Sequence, residues 1–91
     1  MSEAAERLER TLRELREELH ELKELDGAAR QMLEAAVDEI DAALESRQPD
    51  QLESDTVVAR LKASVKQFEE SHPTLANIVG NLVDALGQMG I

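Results

Sequence analysis

Residues 6–27 read ERLERTLRELREELHELKELDG. Leu8, Leu12, Leu15, Leu19 and Leu22 recur at spacings of four, three, four and three. That is the narrow a/d stripe of a helix with an apolar period of 3.5. Almost everything between the leucines is Glu, Arg or Lys, and Glu6–Arg10 and Glu9–Arg13 set opposite charges four residues apart. Leucine at both a and d leaves the number of strands open, and three heptads are few for an isolated coiled coil. The stripe therefore predicts a long helix over residues 2–25 that needs cover from another helix, in this chain or in a second copy. Asp26-Gly27 then breaks the pattern. Either Gly27 closes the first helix with a positive φ, or Asp26 caps the next one. Both readings leave a very short connection, which favours an αα-hairpin.

The pattern beyond the hairpin turn remains helical. Over residues 28–45, Ala29, Met32, Leu33, Ala36, Val37, Ile40, Ala43 and Leu44 fall in one broad arc. Glu34, Asp38, Asp41 and Glu45 form an acidic stripe on the wet side. Ser46-Arg47-Gln48-Pro49 is a loop, and Asp50 with Glu53 has the spacing of a capping box. A third helix is expected over 51–70, with a start nearer Ser54 as the alternative because Ser54, Asp55 and Thr56 are poor interior residues. Val57, Val58, Leu61, Val65 and Phe68 form its stripe. Ser71-His72-Pro73 stops it, with Ser71 or His72 as the cap and Pro73 opening a fourth helix over 73–86. Gly87 is the expected C-terminal cap residue.

The fourth helix is apolar most of the way round: Leu75, Ile78, Val79, Leu82, Val83, Ala85 and Leu86, with Met89 beyond, cover roughly 160° of it. Such a helix is either the centre of a bundle or an interface. Gly80 costs about 1 kcal/mol relative to Ala inside a helix, and close approach of a neighbour along Ala76 and Gly80 is one reason to carry it. The expected fold class is all-α: one domain over residues 1–91, a small four-helix bundle or a set of helical hairpins, with a coiled-coil-like first helix and a central last one.

Composition narrows the function classes. The chain has 91 residues, 20 acids against 10 Lys and Arg, and a formal net charge of −10. A negative surface repels phosphates and anionic headgroups, so no nucleic-acid partner is expected and a membrane partner is disfavoured. There is no Cys, which removes disulfides, thiolate nucleophiles and Cys-based zinc sites. No 18-residue apolar run exists, and the N-terminal residues 1–6 are acidic without an apolar stretch, so the expected location is the cytoplasm. Phe68 is the one aromatic residue, so aliphatic contacts must dominate any interface.

Chemistry-bearing patterns are sparse. Glu17-x-x-His20 is half of a di-iron bundle motif, but His72, which precedes Pro73, supplies no second copy. The acidic stripe of the second helix cannot by itself wrap a hard cation in 6–8 oxygens. Phosphate-cradling loops are absent and nucleophilic triads have little to draw on. No enzyme activity, cofactor, metal or catalytic residue is expected.

Ser71-His72-Pro73-Thr74-Leu75-Ala76, then Leu82-Val83-Asp84-Ala85-Leu86 and the ending Met89-Gly90-Ile91, resemble a family of short bacterial proteins classed as domain of unknown function 4404. The leucine-rich first helix and the Asp26 turn are similar too. The resemblance implies no activity, cofactor or site. Some relatives carry chromosome-partitioning names of the ATPase type, and this chain departs from that pattern because it has no phosphate loop.

The expected function is thus a non-catalytic helical protein–protein interaction module that self-associates, dimer favoured, with an unidentified protein partner also open. The expected self-association residues are Leu8, Leu12, Leu15, Leu19 and Leu22 on the first helix and Leu75, Ile78, Val79, Leu82 and Leu86 on the last. The alternative is a peripheral membrane or lipid-binding protein that uses the apolar C-terminal helix.

Overall fold

The computed structural model describes residues 3–46 and 54–89. It holds four helices: α1 (Glu3–Glu21), α2 (Gly27–Ser46), α3 (Ser54–Phe68) and α4 (Pro73–Gln88). They form an all-α bundle measuring 34 × 22 × 19 Å. Chain neighbours are spatial neighbours, and α4 closes the ring against α1. The diagonal pairs, α1 with α3 and α2 with α4, make no close backbone approach.

The pairings follow from the stripes. Leu8, Leu12, Leu15 and Leu19 are at most 2% exposed, so the seam is covered within the chain. On α4, Leu75, Val79, Leu82 and Leu86 fill the middle of the apolar arc and are fully buried. Ala76 and Ala85 lie at its two edges and are buried too. Small residues at both edges give α1 and α3 room to come close, and these are the closest helix pairs of the bundle. α2 completes the core from a wider spacing with Leu33, Val37 and Ile40.

Several boundaries differ from the sequence expectation. α1 ends at Glu21 rather than Leu25. The chain turns there, Leu25 drops into the core, and Arg30 of α2 donates to the carbonyls of Leu19 and Leu22. A cation at a helix C-terminus satisfies carbonyls that have no partner inside the helix and complements the dipole. Asp26, not a left-handed Gly27, makes the turn: its Oδ2 accepts from the Ala29 amide at 3.4 Å, its carbonyl accepts from Arg30 at 2.9 Å, and Gly27 is the first residue of α2.

α3 is described from Ser54, the alternative start, and ends at Phe68 rather than residue 70. The Asp50–Glu53 capping box lies outside the described residues. The His72 amide donates to the Phe68 carbonyl at 2.7 Å, and Pro73 opens α4. His72 is the N-cap but makes no side-chain cap bond; its ring instead stands edge-on to Phe68 at 5.9 Å. α4 runs to Gln88, two residues past the expected end, with Met89 as C-cap. The Met89 amide donates to both Ala85 and Leu86 at 3.2 Å. That takes up terminal carbonyls without a left-handed Gly87.

Gly80 is also corrected. A Cβ built there meets no heavy atom within 4 Å, so close helix approach is not its reason. The structure gives no other reason for glycine. Gly80→Ala is therefore expected to stabilise the protein by about 0.5–1 kcal/mol, because it removes backbone freedom from the unfolded chain without a clash. A thermal melt that shows no rise, or a fall, contradicts this.

Candidate functional site

Two side chains of α1 and α2 bridge the wet face of the first hairpin. Arg16 sits at heptad position e, beside the leucine seam, and reaches over to α2. Its Nη2 donates to Asp41 Oδ2 at 2.6 Å and lies 3.8 Å from Asp38 Oδ1. The hydrogen bond to Asp41 raises the Arg16 pKa above its ordinary value. Partial burial opposes this, and the charges of Asp41, Asp38 and Glu45 add to it. Arg16 is thus a fixed cation at all ordinary pH.

Shallow hollows open on either side of Arg16. One, of about 330 Å³, is lined by Arg16, Leu19, His20, Arg30, Glu34, Val37 and Asp38. The other, of about 280 Å³, lies among Glu9, Leu12, Arg13, Arg16, Asp41 and Leu44. Both have leucine or valine floors and charged rims. The strongest hydrogen-bonding groups of the rim are already engaged: Arg16 with α2 carboxylates and Arg30 with the carboxyl-terminal carbonyls of α1. His20 is exposed, on the outer face expected for it. The acidic stripe of Glu34, Asp38 and Glu45 is exposed as well, with Asp41 half-buried under Arg16. Among the described residues, no three His, Asp or Glu side chains gather in a way that could hold a metal ion.

Because the Arg16 pair is half-exposed, it contributes little to stability. Arg16→Ala is expected to cost about 0–1 kcal/mol, less in 1 M salt than at low ionic strength. A loss above about 2 kcal/mol that is insensitive to salt contradicts that ranking.

The residues expected to mediate self-association lie inside the bundle. Leu8, Leu12, Leu15, Leu19, Leu75, Val79, Leu82 and Leu86 are 0–2% exposed. Leu22 and Ile78 are partly buried against the same core. Two sets that sequence reasoning treated separately thus meet each other, α1 against α4. The apolar face of α4 behind the lipid alternative is the same buried face. Among the described residues no helix is long and apolar enough to cross a membrane.

The model of a domain of unknown function, DUF4404, matches residues 8–91. The chain belongs to the DUF4404 family. No curated protein and no solved structure matches it. The DUF4404 match takes in all the residues of the α1–α4 seam, the Asp26 turn and the Arg16 and Arg30 bridges.

Sequence reasoning missed Arg16, Arg30 and Leu25. The first had a signal, since position e flanks the seam and lies within reach of a packed neighbour. Arg30 and Leu25 had none, because their roles depend on where α1 stops.

Proposed function

We propose that this DUF4404 chain is a non-catalytic cytoplasmic helical module that binds protein, and above all a second copy of itself. The observation that carries the reading is a core made of aliphatic stripes with a margin of partly buried Met32, Leu44, Val58, Val65, Val83 and Met89. Polar contacts tie α1 to α2, through Arg16 with Asp41 and Asp38 and through Arg30 with the end of α1. Apolar faces join α4 to both α1 and α3. Aliphatic contact of this kind is strong but carries few directional bonds, so it serves equally between copies. A chain of 91 residues also leaves roughly a third or more of its unfolded surface exposed, so association adds stability that one copy lacks.

The non-catalytic part rests on the engaged state of the two arginines that line the groove. Arg16 and Arg30 are held by this chain's own oxygens. Nothing favours the lipid reading, because the α4 face it needs is covered. Light scattering across a concentration series tests the proposal. Twice the 10.1 kDa of one chain is expected. The mass of one chain at about 100 μM overturns self-association. A partner recovered from native lysate that displaces the dimer identifies the second class of binding.

A further inference from the structure

We propose that the second copy docks on the outer face of α3 and α4, with a twofold axis along the helices that lays α3 of each copy over α4 of the other. This rests on the self-association proposed above, and it names the surface and the occupant.

Charge selects the face. Residues 3–46 carry 14 acids against 6 Arg and Lys, a net charge of −8. Residues 54–89 carry 4 acids against 3 Arg and Lys, a net charge of −1. Two copies of a chain at −10 repel each other, and the repulsion is least where each presents its nearly neutral half. The acidic α1–α2 halves then lie on the far sides, where salt screens them over a Debye length of about 8 Å.

Open aliphatic surface lies on that same half. On α3, Ser64 reaches Met32 of α2. Val58 and Val65 stand about 100–120° round the helix from Ser64, on the flank towards α4. The right-handed turn of the helices and the ring order of the bundle put Ala76, Gly80 and Val83 on the flank of α4 that meets α3. Val58, Val65, Val83 and Gly80 are all half-buried, covered by the core on one side and open on the other. A Cβ at Gly80 meets nothing of its own chain within 4 Å. A shallow aliphatic channel therefore runs between α3 and α4 and is least filled at Gly80.

The rims of the channel carry opposite charges. Lys62 and Lys66 lie one turn apart on the α3 rim and Asp84 on the α4 rim, all three exposed. Counted back from the turn between Phe68 and Pro73, Lys62 is level with Gly80. The twofold arrangement lays the aliphatic stem of Lys62 over Gly80 of the other copy and brings its ammonium towards Asp84, one turn further along α4. Both halves of the contact are the same, as an isologous interface requires.

Gly80→Glu tests the surface, with Ala35→Glu as the matched control on the exposed side of α2. Both variants add the same charge to a helix. The open space at Gly80 admits a side chain without a clash inside the chain. Sedimentation should show the dimer dissociation constant of Gly80→Glu raised by more than about tenfold, because an unpaired carboxylate enters the aliphatic channel. Ala35→Glu should leave it unchanged. A nitroxide on Asn77→Cys, an exposed site in a chain with no other cysteine, gives a reading that does not depend on how Gly80→Glu folds. Mixed with isotopically labelled wild type, it should broaden the amides of Lys62 and Val65 in the labelled chain. A Gly80→Glu dimer as tight as the control, or broadening on the exposed faces of α1 and α2 instead, overturns this surface and leaves self-association standing. A wild-type solution mass of one chain overturns both.

Discussion

Leu82→Ala is expected to lower stability by about 3–5 kcal/mol. Leu82 is fully buried near the middle of the α4 arc, between the two helices that approach α4 most closely. Deleting its isobutyl group removes transfer free energy and leaves a cavity that close-packed neighbours fill only in part. A domain of this size has a total stability of about 5–14 kcal/mol, so the variant loses a large fraction of it. The melting temperature should fall by about 12–25 °C. Chemical denaturation and calorimetry measure both quantities. A loss below about 1 kcal/mol contradicts the central position of α4, since an exposed leucine is worth far less.

Arg30→Met follows in size, at about 1–3 kcal/mol. Methionine keeps much of the aliphatic stem that packs over the groove but removes both donors to the Leu19 and Leu22 carbonyls. Leu19 lies in the last turn of α1 and Leu22 is the residue just past it, where no further intrahelical amide reaches their carbonyls. The charge that opposes the negative end of the helix dipole goes with the donors. Arg30→Lys should recover part of the loss, because one ammonium keeps the charge yet spans the two oxygens less well than a guanidinium fork. Urea denaturation of the three proteins separates these terms. Equal stability of Arg30→Met and the wild type would show that the α1 terminus does not depend on this bridge.

The two predictions mark the division between what sequence patterning reveals and what it hides. The leucine spacing of residues 8–22, the wide apolar arc of residues 75–89, and the breaks at Asp26 and Pro73 are local and periodic. They lead to four helices and an all-α bundle, as found. The partner of each stripe is a long-range matter. The α1 seam is compatible with a second α1, and α4 is compatible with the centre of a bundle or an interface. Only packing shows that α1 and α4 are each other's partners within a chain.

The ends of helices were legible to within a few residues where their cause was local, as at Pro73. They were less so where a residue from another helix intervened. Arg30 lies on α2 but caps α1, at the point where the chain leaves the helix and Leu25 turns inward. Gly80 shows the converse. A glycine in a helix suggests close approach, yet open space surrounds its missing Cβ.

The acidic stripe on α2 was evident from spacing, and Glu34 and Asp38 of it line the hollow beside Arg16. The groove beside Arg16 was not, since it exists only once α1 and α2 are antiparallel and their charged rims face each other.

Native-state hydrogen exchange of the α4 backbone tests the account at its centre. If α4 is the helix that α1 and α3 enclose, the amides from Leu75 to Leu86 should be among the slowest in the protein. They should exchange only through global opening, in step with the leucine face of α1. Fast exchange along α4 while the α1–α2 hairpin remains protected would contradict that placement.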